Sequence, residues 1–235
     1  MTFLMLKEFA IVSDFDGTIT QEDSNDLLFK KYGNDVNVKI EEDFCAGILG
    51  TRPAMAMHFE SLHITMEEYY KFLEQHIHID EGFDPLLNWI HEKNIPLFIV
   101  SAGFRQGIEH VLGQKRLENI QVFANDLYIN EESSSDQNGQ PIYPVFAEST
   151  ASCIKDFGPC GNCKRACIQN SGHQTRRQIV FVGDGLTDRC AAEEADLVFA
   201  KTDSALAKYC STHNLPYKPF DGFKDVLTDL KNLKE

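Results

Sequence analysis

The chain has 235 residues and a mass of 26.6 kDa, which is long enough for one α/β domain with a smaller insertion. An apolar fraction of 43% and a mean hydropathy of −0.29 exclude collagen-like and disordered chains. The formal net charge of −14, without a cluster of Lys or Arg, argues against a nucleic-acid partner. No apolar stretch reaches the length of a membrane-spanning helix, so we expect no membrane partner either.

The N-terminal segment and the cysteines indicate the compartment. Lys7 and Glu8 interrupt the first apolar residues and no small-residue cleavage site follows, so we expect a cytoplasmic protein without a cleaved leader. Seven cysteines in a chain of this length favour reduced thiols over a disulfide framework. The sequence leaves the oligomeric state open.

Four short apolar runs predict the strands of a sheet. They are rich in β-branched and aromatic residues and do not alternate with polar residues, which is typical of parallel strands covered on both faces. Helical patterns lie between them, so we expect an α/β fold with a Rossmann-like, doubly wound parallel sheet. The predicted strands are residues 9–14, 95–101, 178–184 and 196–200, and the predicted helices are residues 83–94, 103–114, 186–195 and 223–233.

Two segments depart from this alternation. Residues 21–80 have apolar positions three and four residues apart and almost no strand signal, which predicts a helical insert after the first strand. Residues 126–146 place two strand-like runs around a polar stretch that contains Asn-Gly. This pattern predicts a β-hairpin or an extended loop.

The segment DFDGT, residues 14–18, places two carboxylates two residues apart at the end of the first predicted strand. Asp14 and Asp16 would repel each other unless a cation lies between them or one of them is protonated. Mg²⁺ suits such a site, because it binds oxygen ligands and keeps coordination positions for water and a phosphate. The alternative is an acidic strand-to-turn motif without a metal, whereas the ligand ladder of an EF-hand is missing.

Two further segments end strands at the same predicted edge. GDGLTD supplies Asp184 and Asp188, and SAGF supplies the hydroxyl of Ser101 with successive backbone N–H groups that can bind phosphate oxygens. Each segment alone also fits an ordinary glycine turn or helix start. Because ligands of open α/β sheets bind beyond the carboxyl ends of the strands, the three segments together predict a metal and phosphate site there.

DFDGT, SAGF, a lysine and GDGLTD, in this order, resemble the four motifs of the haloacid dehalogenase superfamily, and they span residues 14–188. The helical insert resembles the C1 cap of the phosphoserine-phosphatase-like subfamily. Within that subfamily, the chain is most similar to the 2-hydroxy-3-keto-5-methylthiopentenyl-1-phosphate phosphatases and their relatives. The segments that carry this similarity are DFDGTIT, CGNCK (160–164) and the predicted hairpin. The resemblance implies a Mg²⁺-dependent phosphatase with a catalytic core of residues 1–20 and 81–235 and a cap of residues 21–80.

The resemblance also implies a role for each matching residue. Asp14 would be the nucleophile that forms an aspartyl-phosphate and a ligand of Mg²⁺, and Asp16 would be the general acid and base. Asp184, with the backbone carbonyl of Asp16, would complete the metal site. Lys164 would neutralise the phosphoryl group, and Asp188 would position that lysine or a metal-bound water. The phosphate would be bound by Gly17, Thr18, Ser101, Ala102, Gly103 and Lys164.

Two lysines compete for the third motif. Lys164 begins a predicted helix that leads into the strand before Asp184, and Lys155 is the alternative. The match of CGNCK to the subfamily favours Lys164, with a solvated surface lysine as the other interpretation.

The cysteines around this lysine allow a second interpretation. One CxxC pair with two further cysteines is compatible with structural zinc or with reactive thiols. Two separated CxxC pairs would be stronger evidence for zinc, so we favour ordinary buried or loop cysteines. The four residues are Cys153, Cys160, Cys163 and Cys167.

The cap would exclude water and recognise the leaving group. Asp23 occupies the place where the phosphoserine phosphatases, which the cap resembles, have an acid that meets the substrate amine. Arg52 and Phe104 are candidates for a charge contact and a hydrophobic wall, with surface or packing roles as alternatives.

The expected ligand is a small-molecule phosphate ester. The methylthiopentenyl ester of methionine salvage is the first candidate, and phosphoserine, phosphocholine or a cofactor-like ester are alternatives. Phosphotransfer instead of hydrolysis is left open, and the rival from another class is a non-catalytic module that senses a ligand or the redox state.

Overall fold

The computed structural model describes residues 8–129, 140–147, 160–175 and 177–234. Within these ranges, seven strands form one sheet in the order β4-β3-β2-β1-β5-β6-β7. The strands are β1 (Phe9–Ser13), β2 (Leu97–Phe104), β3 (Gln121–Ile129), β4 (Ile142–Val145), β5 (Gln178–Gly183), β6 (Leu197–Lys201) and β7 (Lys218–Phe220). β4 pairs antiparallel with β3, and all other pairs are parallel.

Helices connect these strands and cover the sheet. They are α1 (Ser24–Tyr32), α2 (Asp35–Cys45), α3 (Thr51–Leu62), α4 (Met66–His76), α5 (Phe83–Lys93), α6 (Arg105–Arg116), α7 (Lys164–Thr175), α8 (Arg189–Ala192), α9 (Ala205–Thr212) and α10 (Phe223–Lys234), and a 3₁₀ turn covers Leu186–Asp188. No helix in the described ranges is long and apolar enough to cross a membrane.

The central strand β1 shows why its sequence is apolar without alternation. Phe9 and Ile11 pack with α5, α6 and α10 on one face of the sheet. Ala10 and Val12 pack with α7, α8 and α9 on the other face. Because both faces are covered, each residue of the strand is buried. The predicted doubly wound α/β fold is confirmed.

All four predicted strands are present, but the first half of β3 and the strand β7 were missed. The first half of β3 is half-buried and is followed by the polar pair Asn125 and Asp126, so its apolar signal is weak. β7 has three residues with Pro219 at its centre, which fits an edge strand. β2 also continues to Phe104, beyond the predicted end at Ser101, because a register shift keeps it paired with β3.

Helices α1 to α4 lie between β1 and α5, where the sequence predicts a helical insert. The chain leaves and returns to the core at adjacent points. Thr20 bridges Ile79, the N–H of Gln21 donates to the carbonyl of His78 at 2.8 Å, and the N–H of Asp80 donates to a carbonyl on the outgoing segment at 2.9 Å. We call α1 to α4, residues 24–76, the insert.

The insert has an apolar cluster of its own, which also contacts the core. Phe59 packs edge-on against Phe104 at the end of β2, with ring centroids 5.0 Å apart. The N–H of Ile142 in β4 donates to the carbonyl of Ile64 at 2.9 Å. β3 and β4 therefore form the predicted antiparallel pair and support the insert, while residues 130–139, which contain Asn-Gly, lie outside the described residues.

Candidate active site

The sheet places three of the predicted motifs next to one another. β1 lies between β2 and β5, and these neighbours continue the sheet in opposite directions. Asp14 follows β1, Ser101 lies near the end of β2 and Asp184 follows β5. Their position is therefore the switch point at the carboxyl edge, where open α/β sheets bind ligands.

Three carboxylates cluster at this edge. One oxygen each of Asp14, Asp184 and Asp188 lies within 4.8 Å of the others, and this is the only such group of potential ligands in the described part of the chain. Thr18 fixes one of them, because its hydroxyl donates to Oδ1 of Asp184 at 2.8 Å. Gly17, at φ +70°, makes room, since a Cβ there would lie 2.6 Å from Oδ2 of Asp184.

Asp188 supports the cluster from behind. Its Oδ1 lies 2.5 Å from Nζ of Lys164. Its Oδ2 accepts hydrogen bonds from the backbone N–H groups of Asp184 at 3.0 Å and Gly185 at 2.8 Å. Both oxygens are thus engaged within the protein, which leaves Asp14 and Asp184 as the carboxylates with capacity for an ion.

Lys164, the first residue of α7, is 3% exposed and lies between two of these acids. Its Nζ is 2.7 Å from Oδ1 of Asp14. Burial lowers the pKa of Lys164, but the charges of Asp14 and Asp188 outweigh this effect and the net pKa is raised. Lys164 is therefore a permanent cation beside Asp14, whereas its competitor Lys155 lies outside the described residues.

The positive charge of Lys164 does not balance the negative charges of the clustered acids. Burial and then repulsion by Asp188 raise the pKa of Asp14 well above its usual range. Burial and the same repulsion raise the pKa of Asp184 to about 6. A divalent cation bound by oxygen ligands would offset this repulsion, so the donor set fits Mg²⁺.

Asp16 is held in a different environment from Asp14. Its Oδ1 accepts hydrogen bonds from the backbone N–H of Ser24 at 3.1 Å and from the Ser24 hydroxyl. Its Oδ2 accepts a longer one, 3.4 Å, from Ser101. Burial raises the pKa of Asp16 above the usual carboxyl value, against the effect of these hydrogen bonds. Since the side chain is outside the carboxylate cluster, only its backbone carbonyl is left for the predicted metal role.

The segment Ser101 to Gly103 lines the cleft above these acids. The N–H of Gly103 donates to Oγ of Ser101 at 2.8 Å. Two buried amides fix the segment from behind: Nδ2 of Asn125 donates to the carbonyl of Ala102 at 2.7 Å, and Nδ2 of Asn162 donates to that of Ser101 at 3.1 Å. The segment is thereby a rigid phosphate-binding candidate.

Two predicted phosphate ligands have other contacts. The N–H of Gly17 donates to the carbonyl of Glu22 at 3.0 Å, and the hydroxyl of Thr18 is engaged with Asp184. Neither residue lines the cleft. They shape the turn and the metal site, so phosphate binding by Gly17 and Thr18 is not supported.

The cleft continues from the acids into the insert. Its outer wall combines acidic and apolar side chains and contributes no Lys or Arg within the described residues. These wall residues are Asp23, Asn25, Asp26, Phe29, Glu41, Phe44, Thr51, Ala54, Met55 and His58.

The three predicted cap contacts have different outcomes. Asp23 lines the cleft, and it also caps α1, since its Oδ1 accepts from the N–H groups of Asn25 and Asp26, both at 2.9 Å. Arg52 is not part of the cleft wall: it donates to the carbonyl of Ala147 at 2.7 Å. Phe104 is buried in the apolar cluster under the insert. Neither Arg52 nor Phe104 lines the cleft, so the structure gives their predicted substrate contacts no support.

The described cysteines do not form a metal cluster. Cys163 and Cys167 are buried, and burial raises the pKa of Cys167 to about 11, so its thiol is protonated at neutral pH. Cys153 lies outside the described residues, and Cys160 is half-buried. Because Cys153 is not described, the choice between structural zinc, reactive thiols and ordinary cysteines stays a prediction.

Several residues of the site were missed in the sequence. Asn25 lines the cleft and Ser24 binds Asp16. Both follow Asp23 directly in the first turn of α1, so the Asp-Ser-Asn run at a helix start was an available signal. Glu41 and Met55 belong to other helices of the insert, and no local pattern brings them to the cleft.

The comparisons with known proteins agree with this geometry. A family model described as haloacid dehalogenase-like hydrolase matches residues 11–193, well over half of the chain. The chain belongs to the haloacid dehalogenase-like hydrolases. The predicted membership of this superfamily is thereby confirmed.

The relatives of this hydrolase include phosphatases. It is 33% identical to the polyol phosphate phosphatase PYP1 of Saccharomyces cerevisiae over 95% of this chain and 92% of that protein. It is 27% identical to the 2-hydroxy-3-keto-5-methylthiopentenyl-1-phosphate phosphatase of Bacillus mycoides, over 96% and 97% of the two chains. The predicted phosphatase of the haloacid dehalogenase type is confirmed.

A solved structure of phosphoserine phosphatase, as a phospho-aspartyl intermediate analogue, has the same fold. The TM-score is 0.69 at 17% identity, and the match covers 95% of this chain and 98% of that one. At this identity the likeness concerns the fold alone.

Proposed function

We propose that the hydrolase is a Mg²⁺-dependent phosphomonoesterase that releases phosphate from a small ester through an aspartyl-phosphate. The observation that carries this proposal is the contact of Lys164 with Asp14 inside the cluster that Asp14 forms with Asp184. A cation and a carboxylate cluster at one point suit a group that carries several negative oxygens.

The residues have distinct tasks in this mechanism. A carboxylate oxygen of Asp14 attacks phosphorus and forms the aspartyl-phosphate, while the bond between phosphorus and the ester oxygen breaks. Asp16 donates its proton to that departing oxygen. In the second step, Asp16 takes a proton from a water that attacks phosphorus, and the bond to Asp14 breaks to release phosphate. Lys164 and the segment from Ser101 to Gly103 hold the phosphoryl oxygens.

Asp14, Asp184 and the backbone carbonyl of Asp16 would hold Mg²⁺. The ion would supply positive charge to the phosphoryl oxygens and lessen the repulsion between the two carboxylates. Thr18 keeps Asp184 oriented for this purpose.

We further propose that residues 21–80 act as a cap on a core of residues 1–20 and 81–235. The adjacent connections at Thr20 and Ile79 support a unit that can move as one body. Closure of such a unit over the cleft excludes water while the phosphoryl group is transferred.

The leaving group that suits this cleft carries no negative charge. Three acids, Asp23, Asp26 and Glu41, line the outer wall. Lys164, the cation at the inner end, is already paired with Asp14 and Asp188. A polyol phosphate is the first candidate, in line with the name of the yeast relative. It takes the place that the sequence analysis gave to the methylthiopentenyl ester, which is the second candidate because Phe29, Phe44 and Met55 offer apolar contacts.

Phosphate release from a panel of small esters tests the proposal. The panel contains glycerol phosphate, the methylthiopentenyl ester, phosphoserine and phosphocholine, each with Mg²⁺ and with EDTA. We expect the highest kcat/KM for one of the two uncharged leaving groups, and no turnover with EDTA. A phosphorylated acceptor instead of free phosphate would indicate phosphotransfer. Tight binding of an ester without turnover would favour the sensing module, and EDTA-resistant turnover would contradict the metal.

A further inference from the structure

In the described part of the chain, one buried polar side chain of the cleft has no hydrogen-bond partner. Asn25, in the first turn of α1, is 8% exposed, and its buried Oδ1 accepts no hydrogen bond. Within the described ranges, its Nδ2 donates none either. A buried amide without a partner costs roughly 1–3 kcal/mol, so a partner supplied by a ligand would remove an existing penalty.

Asn25 lies close to the proton donor of the proposed mechanism. A Cβ built on Gly103 would be 2.6 Å from Oδ2 of Asp16 and 3.3 Å from Nδ2 of Asn25. Oδ2 of Asp16 and Nδ2 of Asn25 therefore lie beside the same glycine, and both side chains line the cleft, so one small substrate can contact both. In the proposed reaction the departing ester oxygen lies next to Asp16.

A substituent on the carbon next to the ester carbon is then close enough to reach Asn25. A carboxamide accepts through its oxygen and donates through its nitrogen, and it can turn to present either. A hydroxyl group matches both orientations, because it also donates and accepts. A quaternary ammonium does neither, and a methyl group would leave the amide unpaired.

We propose that Asn25 selects phosphate esters that carry a hydroxyl group on the carbon next to the ester carbon, that is, monophosphates of 1,2-diols. This inference rests on the proposed function, and it names the substrate class of the same site. Asn25 binds the hydroxyl group in the substrate and takes no part in proton transfer. Its removal acts on the discrimination between esters.

The test compares two esters that differ by one hydroxyl group: propane-1,2-diol 1-phosphate and n-propyl phosphate. We expect wild-type kcat/KM to be about tenfold or more higher for the diol ester. In Asn25→Leu and Asn25→Ala the ratio falls to within about twofold of one, while n-propyl phosphate is still hydrolysed. The Ala variant adds no bulk, so it answers the question if the Leu variant fails to fold.

The matched control is Asn37→Ala in α2. Asn37 is also buried, but it is hydrogen bonded to His58 and does not line the cleft, so its removal lowers stability and keeps the ratio. Equal wild-type rates for the two esters, or an unchanged ratio in both Asn25 variants, overturn the selection by Asn25 and leave the phosphatase intact. No turnover of either ester by the wild type contradicts the proposed function itself.

Discussion

The backbone N–H of Ser24 donates a hydrogen bond to Oδ1 of Asp16 at 3.1 Å. Ser24 is the first residue of the insert, and Asp16 belongs to the motif that follows the central strand. The position of the acid thus depends on the position of the insert. In the proposed mechanism, displacement of α1 would release Asp16 from its orientation, so closure of the cap would be coupled to the proton transfer.

Removal of the Ser24 hydroxyl tests this coupling. Ser24→Ala keeps the backbone hydrogen bond but loses the one from Oγ, so Asp16 is held by fewer partners. We expect kcat to fall about tenfold, which corresponds to the loss of one hydrogen bond of about 1.4 kcal/mol. Steady-state phosphate release measures the effect. Ser61→Ala, elsewhere in the insert, is the control, and an unchanged kcat in Ser24→Ala would contradict the coupling.

Replacement of the proposed nucleophile, Asp14, should have a larger effect on turnover. Asp14→Asn removes the attacking carboxylate with little change in volume, and we expect turnover to fall by about a thousandfold or more. Phosphate release under saturating ester and Mg²⁺ measures it. Asp203→Asn, a change of an exposed residue that does not line the cleft, should retain full activity. Undiminished turnover by Asp14→Asn would reject the aspartyl-phosphate route.

Thr18 should affect metal affinity more than chemistry. Thr18→Val keeps the shape of the side chain but removes the hydrogen bond that orients Asp184. We expect the Mg²⁺ concentration for half-maximal activity to rise by about 10- to 100-fold, with kcat recovered at high Mg²⁺. A titration of activity with Mg²⁺ measures this, and Thr202→Val, whose hydroxyl donates to the carbonyl of Phe220, is the control. An unchanged Mg²⁺ requirement would argue against Asp184 as a ligand.

The insert should lose stability in mild acid because of His58. This histidine is 2% exposed and stacks on Phe29, and burial lowers its pKa from 6.5 to about 4, against the raising effect of Asp26. Glu41, 3.7 Å away, is the other charged group that faces it. The unfolded chain therefore binds a proton that the folded chain excludes, and stability falls as the pH drops from about 6.5 towards 4.

The full effect of His58 is about 3 kcal/mol of unfolding free energy, and about 1 kcal/mol of it is lost between pH 7.5 and 5.5. Urea unfolding at the two pH values measures the loss. His58→Gln should reduce the difference, whereas the exposed His91→Gln on α5 should leave it unchanged. An equal pH dependence in wild type and His58→Gln would contradict the assignment.

The strands of the core and the acids that follow them could be predicted from the sequence, because the end of each apolar run also marks the edge of the sheet where the site lies. Asp14 and Asp184 each end a strand that is apolar throughout, and parallel strands bring their carboxyl ends to one edge. Lys164 could be chosen only through the family resemblance, since its contact with Asp14 bridges 150 positions of sequence.

The outer wall of the cleft could not be predicted in the same way. Glu41 and Met55 reach it through the packing of α2 and α3, which apolar spacing alone does not orient. Arg52 and Phe104 were chosen for residue type, and their contacts with Ala147 and Phe59 depend on how the insert rests on β2 and β4. The location of Asn25 was readable, but its lack of a partner was not.

The bridge between Thr20 and Ile79 has a consequence for how such enzymes diversify. The two ends of the insert are neighbours. Another segment whose ends lie equally close can therefore replace the insert without disturbing the pairing of the strands. A replacement segment that still holds Asp16 as Ser24 does can then change the recognition of the alcohol while the hydrolysis is kept. New specificities in this lineage would arise by exchanging one contiguous piece of gene.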